Sequence, residues 1–288
     1  MKTFTHGRIS MAYRDEGEGP AVVFIHNGGT SSTIWRHQID DLSSDHRTIA
    51  VDLPGFGASP IPRPAATLDE LVESVGELIR SEELAPALLV GNCMGTNIAL
   101  QLAERDSSLV SGVLGVNPLT AASFSGGKLG MLHKMEQRFP GPTGAVLGIA
   151  RKVRVPRAFG GITLRFQLGR DGVARGLHRD PELLDCQARS QQLPALIDVL
   201  EDMPAYGGVD GLQKPPPVPT WIVWGEQNRV LSRRKVSGMA ERLGAEQEKV
   251  LDNCGHLAMM ERPEEVTALI RRLDEEVRAG ATEGAVAR

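Results

Sequence analysis

The chain has 288 residues, of which 41% are hydrophobic and 24% charged, with a net charge of -4 and three cysteines. That balance excludes a disordered tail, a collagen-like fibre and a disulfide-stapled mini-domain. The length suits two units of ~150 residues or one large α/β domain with an insertion, and no run of ~18 apolar residues offers a membrane span.

In chain order, the opening residues 1–19 carry no apolar targeting core, so a cytoplasmic setting is expected. Sparse cysteines, Cys93, Cys186 and Cys254, suit free thiols in a reducing compartment. Arg8–Arg14 alternates in polarity and reads as the edge strand of an opening hairpin. Ala21–Ile25, Thr48–Val51, Ala87–Val90, Gly112–Val116 and Thr220–Val223 are short, uninterrupted apolar runs. Such runs suit strands buried on both faces of a parallel sheet.

Helices are expected between the strands. Thr67 and Glu70 form a capping box, and Leu71, Val72, Val75, Leu78 and Ile79 mark one helical face. Asn97–Glu104 reads as a helix directly after the Cys93 strand. Pro263 suits a first helical turn, with Val266, Leu269, Ile270, Leu273 and Val277 on one face. The tail Ala279–Arg288 is expected to fray. Strand–helix alternation predicts a mostly parallel, doubly wound α/β sheet. The alternation breaks between Leu119 and Pro217, where Pro, Gly and helix-like pieces such as Ala195–Glu201 replace it. The expected division is an α/β core of residues 1–118 and 218–288, with residues 119–217 an inserted, largely helical cap.

The residues that point to chemistry are Gly91-Asn-Cys-Met-Gly95, at the end of an apolar run and the start of a helix. This is a G-x-C-x-G nucleophile elbow with Cys in place of Ser, a sharp turn that needs small flanking residues. It would lift Cys93 above the sheet at a helix N-terminus, where free N–H groups favour a thiolate. Four more motifs stand in order: His26-Asn-Gly-Gly29, Asp52-Leu-Pro-Gly-Phe-Gly-Ala-Ser59, Gly225-Glu-Gln-Asn228, and Asn253-Cys-Gly-His256 followed by Glu261-Arg-Pro263. Together they resemble the α/β-hydrolase superfamily over nearly the whole chain, which implies the α/β-hydrolase fold with a cap.

The resemblance implies acyl-transfer chemistry with Cys93 as nucleophile, His256 as proton shuttle and Asn228 at the usual acid position. A carboxylate from Glu226 or Asp198 is the alternative to Asn228. Asn in place of Asp is costly beside a serine, but a more acidic thiol asks only that the imidazole be oriented. By the same resemblance the N–H groups of Gly28 and Met94 form the oxyanion hole. Asn27 and Gly29 are expected against the substrate, and His26 is expected to brace the loop. The expected reaction is hydrolysis of an ester or thioester through acyl-Cys93. Acyltransferase or cyclase chemistry of specialised metabolism is the alternative within enzymes, and a non-catalytic ligand-binding protein is the alternative outside them.

Charge adds a further expectation. Between Leu119 and Arg179 eight Arg and three Lys face only Glu136 and Asp171. A basic cap over an acyl pocket would favour anionic ligands, with Arg151 and Arg154 as substrate-binding candidates. A small-molecule acyl substrate, a coenzyme A thioester or an acyl carrier protein would fit. No nucleic acid and no membrane partner is expected. The histidines form no ligand cluster, so no metal is expected. Gly55-Phe-Gly57 lacks the third glycine of a dinucleotide loop, so no cofactor is expected.

Overall fold

The computed structural model describes every residue except 129, 131–137, 139, 154, 155, 190, 213, 287 and 288. Eight strands form one sheet: β1 (Lys2–His6), β2 (Ile9–Glu16), β3 (Ala21–Ile25), β4 (Arg47–Asp52), β5 (Ala87–Asn92), β6 (Val110–Val116), β7 (Thr220–Gly225) and β8 (Gln247–Leu251). Their spatial order is β1-β2-β4-β3-β5-β6-β7-β8. The pairs β1–β2 and β2–β4 are antiparallel, and every other neighbouring pair is parallel.

The five apolar runs all lie in strands. β3 shows why they are uninterrupted: Val22 and Phe24 enter one core, Val23 and Ile25 the other. Both faces are buried, so no position along the strand is left for a polar side chain. The opening hairpin forms as expected, but β1 takes the edge and β2 lies between it and β4. β8 has no counterpart among the expected strands. Its sequence QEKVL contains no apolar run, because an edge strand paired only with β7 leaves alternate side chains in water.

Helices α1 (Arg36–Leu42), α2 (Leu68–Ser81) and α3 (Met94–Arg105) follow β3, β4 and β5. The Thr67–Glu70 capping box starts α2, and its five expected apolar residues are all buried. Between β6 and β7 the described residues form helices and no strand: α4 (Ala121–Ser125), α5 (Pro140–Ala150), α6 (Arg157–Gln167), α7 (Arg170–Ala174), α8 (Pro181–Gln187) and α9 (Gln192–Glu201). The chain ends with α10 (Met239–Arg242), α11 (Ala258–Glu261) and α12 (Pro263–Val286). α12 stays helical through Ala279 to Val286, where a frayed tail was expected.

Two arginines of the basic stretch pair with acids later in the same helical segment. Arg151 pairs with Asp198 and with Glu201, the latter at 2.7 Å. Arg157 reaches Asp185 at 2.8 Å. Two core arginines do the same from below, Arg36 to Asp180 at 2.5 Å and Arg63 to Asp198 at 2.8 Å.

The terminal helix is tied to the sheet by a buried imidazole. His46 Nε2 lies 3.2 Å from Asp274 and Nδ1 lies 2.9 Å from Asp45, while Arg278 contacts both Asp274 and His46. The hydrogen bond to Asp274, opposed by burial, raises the His46 pKa above its ordinary value. Protons are therefore held more tightly in the folded than in the unfolded chain. The extra stability is complete below the unfolded pKa of about 6.5 and is lost as pH rises through the raised folded value. His46→Gln should lower the Tm most at pH 5.5, by a few degrees, and less at pH 9. A Tm gap that is the same at both pH values would refute this assignment.

Candidate active site

The parallel strands release their following loops at one edge of the sheet, so β3, β5, β7 and β8 deliver the motif residues to one place. Cys93 sits between β5 and α3 with φ 57 and ψ -111. A non-glycine residue at positive φ stores about 1–3 kcal/mol of strain, held by its surroundings. Here the surroundings are tight. A Cβ at Gly91 would meet the backbone of Gly95 and Thr96, and one at Gly95 would be driven into the Ile25 carbonyl oxygen. The elbow thus needs both glycines to bring α3 against the end of β3.

A cavity of about 480 Å³ opens above the elbow. Cys93, Met94, His256, Asn27, Gly28 and Gly29 all line it, so six of the nine expected site residues come together. The rest of the wall is mainly Phe166, Leu196, Val199, Leu200, Met203 and Leu231. No charged side chain is among the described lining residues. Ile162 lines the cavity yet is 65% exposed, which marks the mouth.

Three expected residues stand elsewhere. Arg151 is outside the cavity and engaged with Asp198 and Glu201. Arg154 lies outside the described residues. Asn228 is not in the lining, and its Oδ1 accepts from the N–H groups of Val230 and Leu231 at 2.9 and 3.1 Å. That oxygen was expected to orient His256. It closes a turn instead, and no hydrogen bond joins Asn228 to His256. Both the Asn228 Nδ2 and the His256 Nδ1 are buried without a partner. The carboxylate alternatives are committed too: Glu226 accepts from the Asn253 N–H at 3.0 Å, and Asp198 holds Arg63 and Arg151.

Burial acts against the expected thiolate. Cys93 is 6% exposed and His256 1%. Loss of solvent pushes the Cys93 thiol up to about 12, against a smaller opposing effect of the Met94 N–H. The same loss pushes the His256 imidazole down to about 3. Burial outweighs the helix N-terminus, and both groups are neutral at pH 7.

The loop after β3 is braced as expected. His26 Nδ1 lies 2.7 Å from the Asn27 carbonyl, and Nε2 accepts from the Leu53 N–H at 2.8 Å. Asp52 accepts from Ser32 and Ala58 N–H groups at 2.8 and 2.7 Å, which gives the glycine-rich turn a structural task.

A family model described as the alpha/beta hydrolase family matches residues 22–269. The chain belongs to the alpha/beta hydrolase family. It is 23% identical over 274 residues to epoxide hydrolase 3 of Xenopus tropicalis, covering 88% of this chain and 70% of that protein. A shorter match, 38% identical over 106 residues, is to a haloalkane dehalogenase of Bradyrhizobium diazoefficiens and covers 36% of this chain and 34% of that one. Among solved structures, an esterase from Thermogutta terrifontis superimposes with a TM-score of 0.76 at 22% identity, covering 93% of this chain and 94% of that one. The alpha/beta hydrolase fold follows, and the named relatives support an enzyme of hydrolase type. No helix among the described residues is long and apolar enough to cross a membrane.

Sequence reasoning missed the role of four residues that hold the His256 loop, three of them through the His256 main chain itself. Asn92 and Asn117 each donate to the His256 carbonyl at 3.2 Å, and the His256 N–H donates to the Gln167 carbonyl at 2.6 Å. Glu261 accepts from Gly255 N–H at 2.9 Å. Asn117 was signalled by an amide directly after the apolar run of β6, and Asn92 by its place inside the elbow motif. Because Asn228 closes a turn that lines the cavity, Asn228→Ala should cost about 1 kcal/mol for each hydrogen bond lost. The expected result is a Tm lower by a few degrees and a weaker KM, with kcat within about threefold. A hundredfold loss of kcat at unchanged Tm would instead restore Asn228 to the catalytic set.

Proposed function

We propose that the protein transfers an uncharged, largely apolar acyl group through a thioester on Cys93. The reading is carried by one observation: the elbow thiol and His256 share a cavity, with no charged side chain among its described lining residues, with Gly28 and Met94, the two positions that would hold an oxyanion. A cavity of this size suits a small ligand bound mainly by apolar contact.

The chemistry uses a Cys93–His256 pair. Sγ attacks the acyl carbonyl carbon while its proton passes to His256, since no preformed thiolate is available. The new S–C bond turns the carbonyl into an oxyanion, which the N–H groups of Gly28 and Met94 would receive. Collapse breaks the bond to the leaving alcohol or thiol, and the imidazolium returns its proton to that group. Water then attacks the thioester with His256 as base, releasing the acid and the free thiol. The acyl donor is a small-molecule ester or thioester, or an acyl group carried by coenzyme A or a carrier protein. In the last two cases the charged carrier stays outside the cavity.

A second reading has support of its own. The apolar wall disfavours water, and a thioester retains enough activation to acylate an amine or hydroxyl. Hydrolysis and transfer are told apart by the products formed with and without an added amine.

The test pairs substrate and variant. Incubation with a decanoyl thioester of N-acetylcysteamine should give an acyl adduct on Cys93 by intact mass. A succinyl thioester should react at least about tenfold more slowly, because its carboxylate would be desolvated without a partner. Cys93→Ala should show no adduct. Cys93→Ser should lose about 10⁴-fold in kcat, the order seen when a serine triad loses its acid. Turnover by Cys93→Ala at the wild-type rate would refute the scheme.

A further inference from the structure

His256 is the one group in the proposed chemistry that must keep a fixed direction, and its Nδ1 has no acceptor. What fixes the residue is its main chain, held from four parts of the fold. Asn92 at the end of β5 and Asn117 at the end of β6 both donate to its carbonyl. Gln167 at the end of α6 accepts its N–H. Glu261 at the end of α11 holds the residue before it, Gly255.

Glu261 does more than hold Gly255. It is 1% exposed, and its second oxygen accepts from the Gly169 N–H at 2.8 Å. One buried carboxylate therefore bridges the His256 loop and the turn between α6 and α7. The joint is close on every side. A Cβ at Gly255 would meet the Gln167 carbonyl and Gly169 N, one at Gly169 would meet the Asn253 carbonyl, and one at Gly172 would meet the Glu261 carboxylate itself. Gln167, two residues before Gly169, lines the cavity.

We propose that Glu261 is a positioning residue: in a site without a triad carboxylate, it orients His256 through the backbone, by clamping the His256 loop to the α6–α7 turn. This inference rests on the assignment of proton transfer to His256. The carboxylate accepts both N–H groups best when ionised. Burial raises its pKa to about 7, against the opposing hydrogen bonds from Gly169, Gly255 and Leu257 and the nearby Arg262. The other charged and titratable neighbours are Arg175, which donates to the Glu261 main-chain carbonyl, Asp171, which pairs with Arg262, and Cys254 and Glu265 beside them. Cys93, pushed up to about 12, and His256, pushed down to about 3, have no midpoint between pH 5.5 and 8.5, although the small thiolate fraction of Cys93 rises about tenfold per pH unit across that window. A midpoint in the window, superimposed on that steady rise for alkylation, thus reports Glu261.

The experiment measures two rates against pH from 5.5 to 8.5: Cys93 alkylation by iodoacetamide, and turnover of the decanoyl thioester. In the wild type turnover should rise to a plateau through a midpoint near pH 7, and alkylation should depart at the same midpoint from the steady rise, about tenfold per unit, of a thiol with so high a pKa. Glu261→Gln should remove the limb and lower kcat about tenfold with KM within twofold. Asn117→Ala, which loosens the same loop without touching the carboxylate, should lower kcat about threefold and keep the limb in place. The wild-type profile needs no variant to fold, and a turnover profile with no midpoint between pH 5.5 and 8.5 overturns the proposal. So does a limb that persists unchanged in a folded Glu261→Gln. An alkylation limb lost in Glu261→Gln together with no acyl turnover would uphold the positioning role and reject the acyl-transfer function.

Discussion

At Gly95, α3 comes so near the end of β3 that a single methyl group would be driven into the Ile25 carbonyl oxygen. That contact fixes the elbow. It holds Cys93 at positive φ, sets its side chain into the cavity, and brings the Met94 N–H against the thiol. Asn92, the residue before Cys93, then reaches across to the His256 carbonyl, so the same turn that presents the nucleophile also locates its partner. Loosening the packing at Gly95 would disturb nucleophile, oxyanion position and histidine together.

The second constraint is the burial of Cys93 and His256 beneath an apolar wall. Desolvation moves the two proton-bearing groups apart, one up to about 12 and one down to about 3. The resting site is neutral, which suits an uncharged acyl group and leaves the proton to move during attack. Without an acceptor at Nδ1, the ring takes its direction from the main chain, held by Asn92, Asn117, Gln167 and the Glu261 joint. Orientation is thereby held through the main chain of the loop rather than by a carboxylate against the ring.

Charge shows the same division between chain and fold. A run of cations from Leu119 to Arg179 suggested a surface for anions. Folding sets Asp185, Asp198 and Glu201 against Arg157 and Arg151, and the cavity beneath receives no charged side chain from the described residues. Long-range ion pairs are invisible in a local count because acid and base lie tens of residues apart.

The strands, the capping box of α2, the elbow and the order Cys93 to His256 were legible in the sequence. Each is written locally, as an apolar run, a cap spacing or a pair of glycines that only a tight turn requires. β8 was not legible, since a half-exposed edge strand carries no apolar run. Asn228 could be placed after β7, but the use of its oxygen depended on the turn formed by Val230 and Leu231. The protonation of Cys93 depended on how helices from distant parts of the chain exclude water. The sequence by itself determined the elbow cysteine, the loop after β3 and the histidine that meet at the site. Only the tertiary structure decided their charge and their partners, because desolvation and hydrogen bonding across the fold are set by neighbours that no local pattern contains.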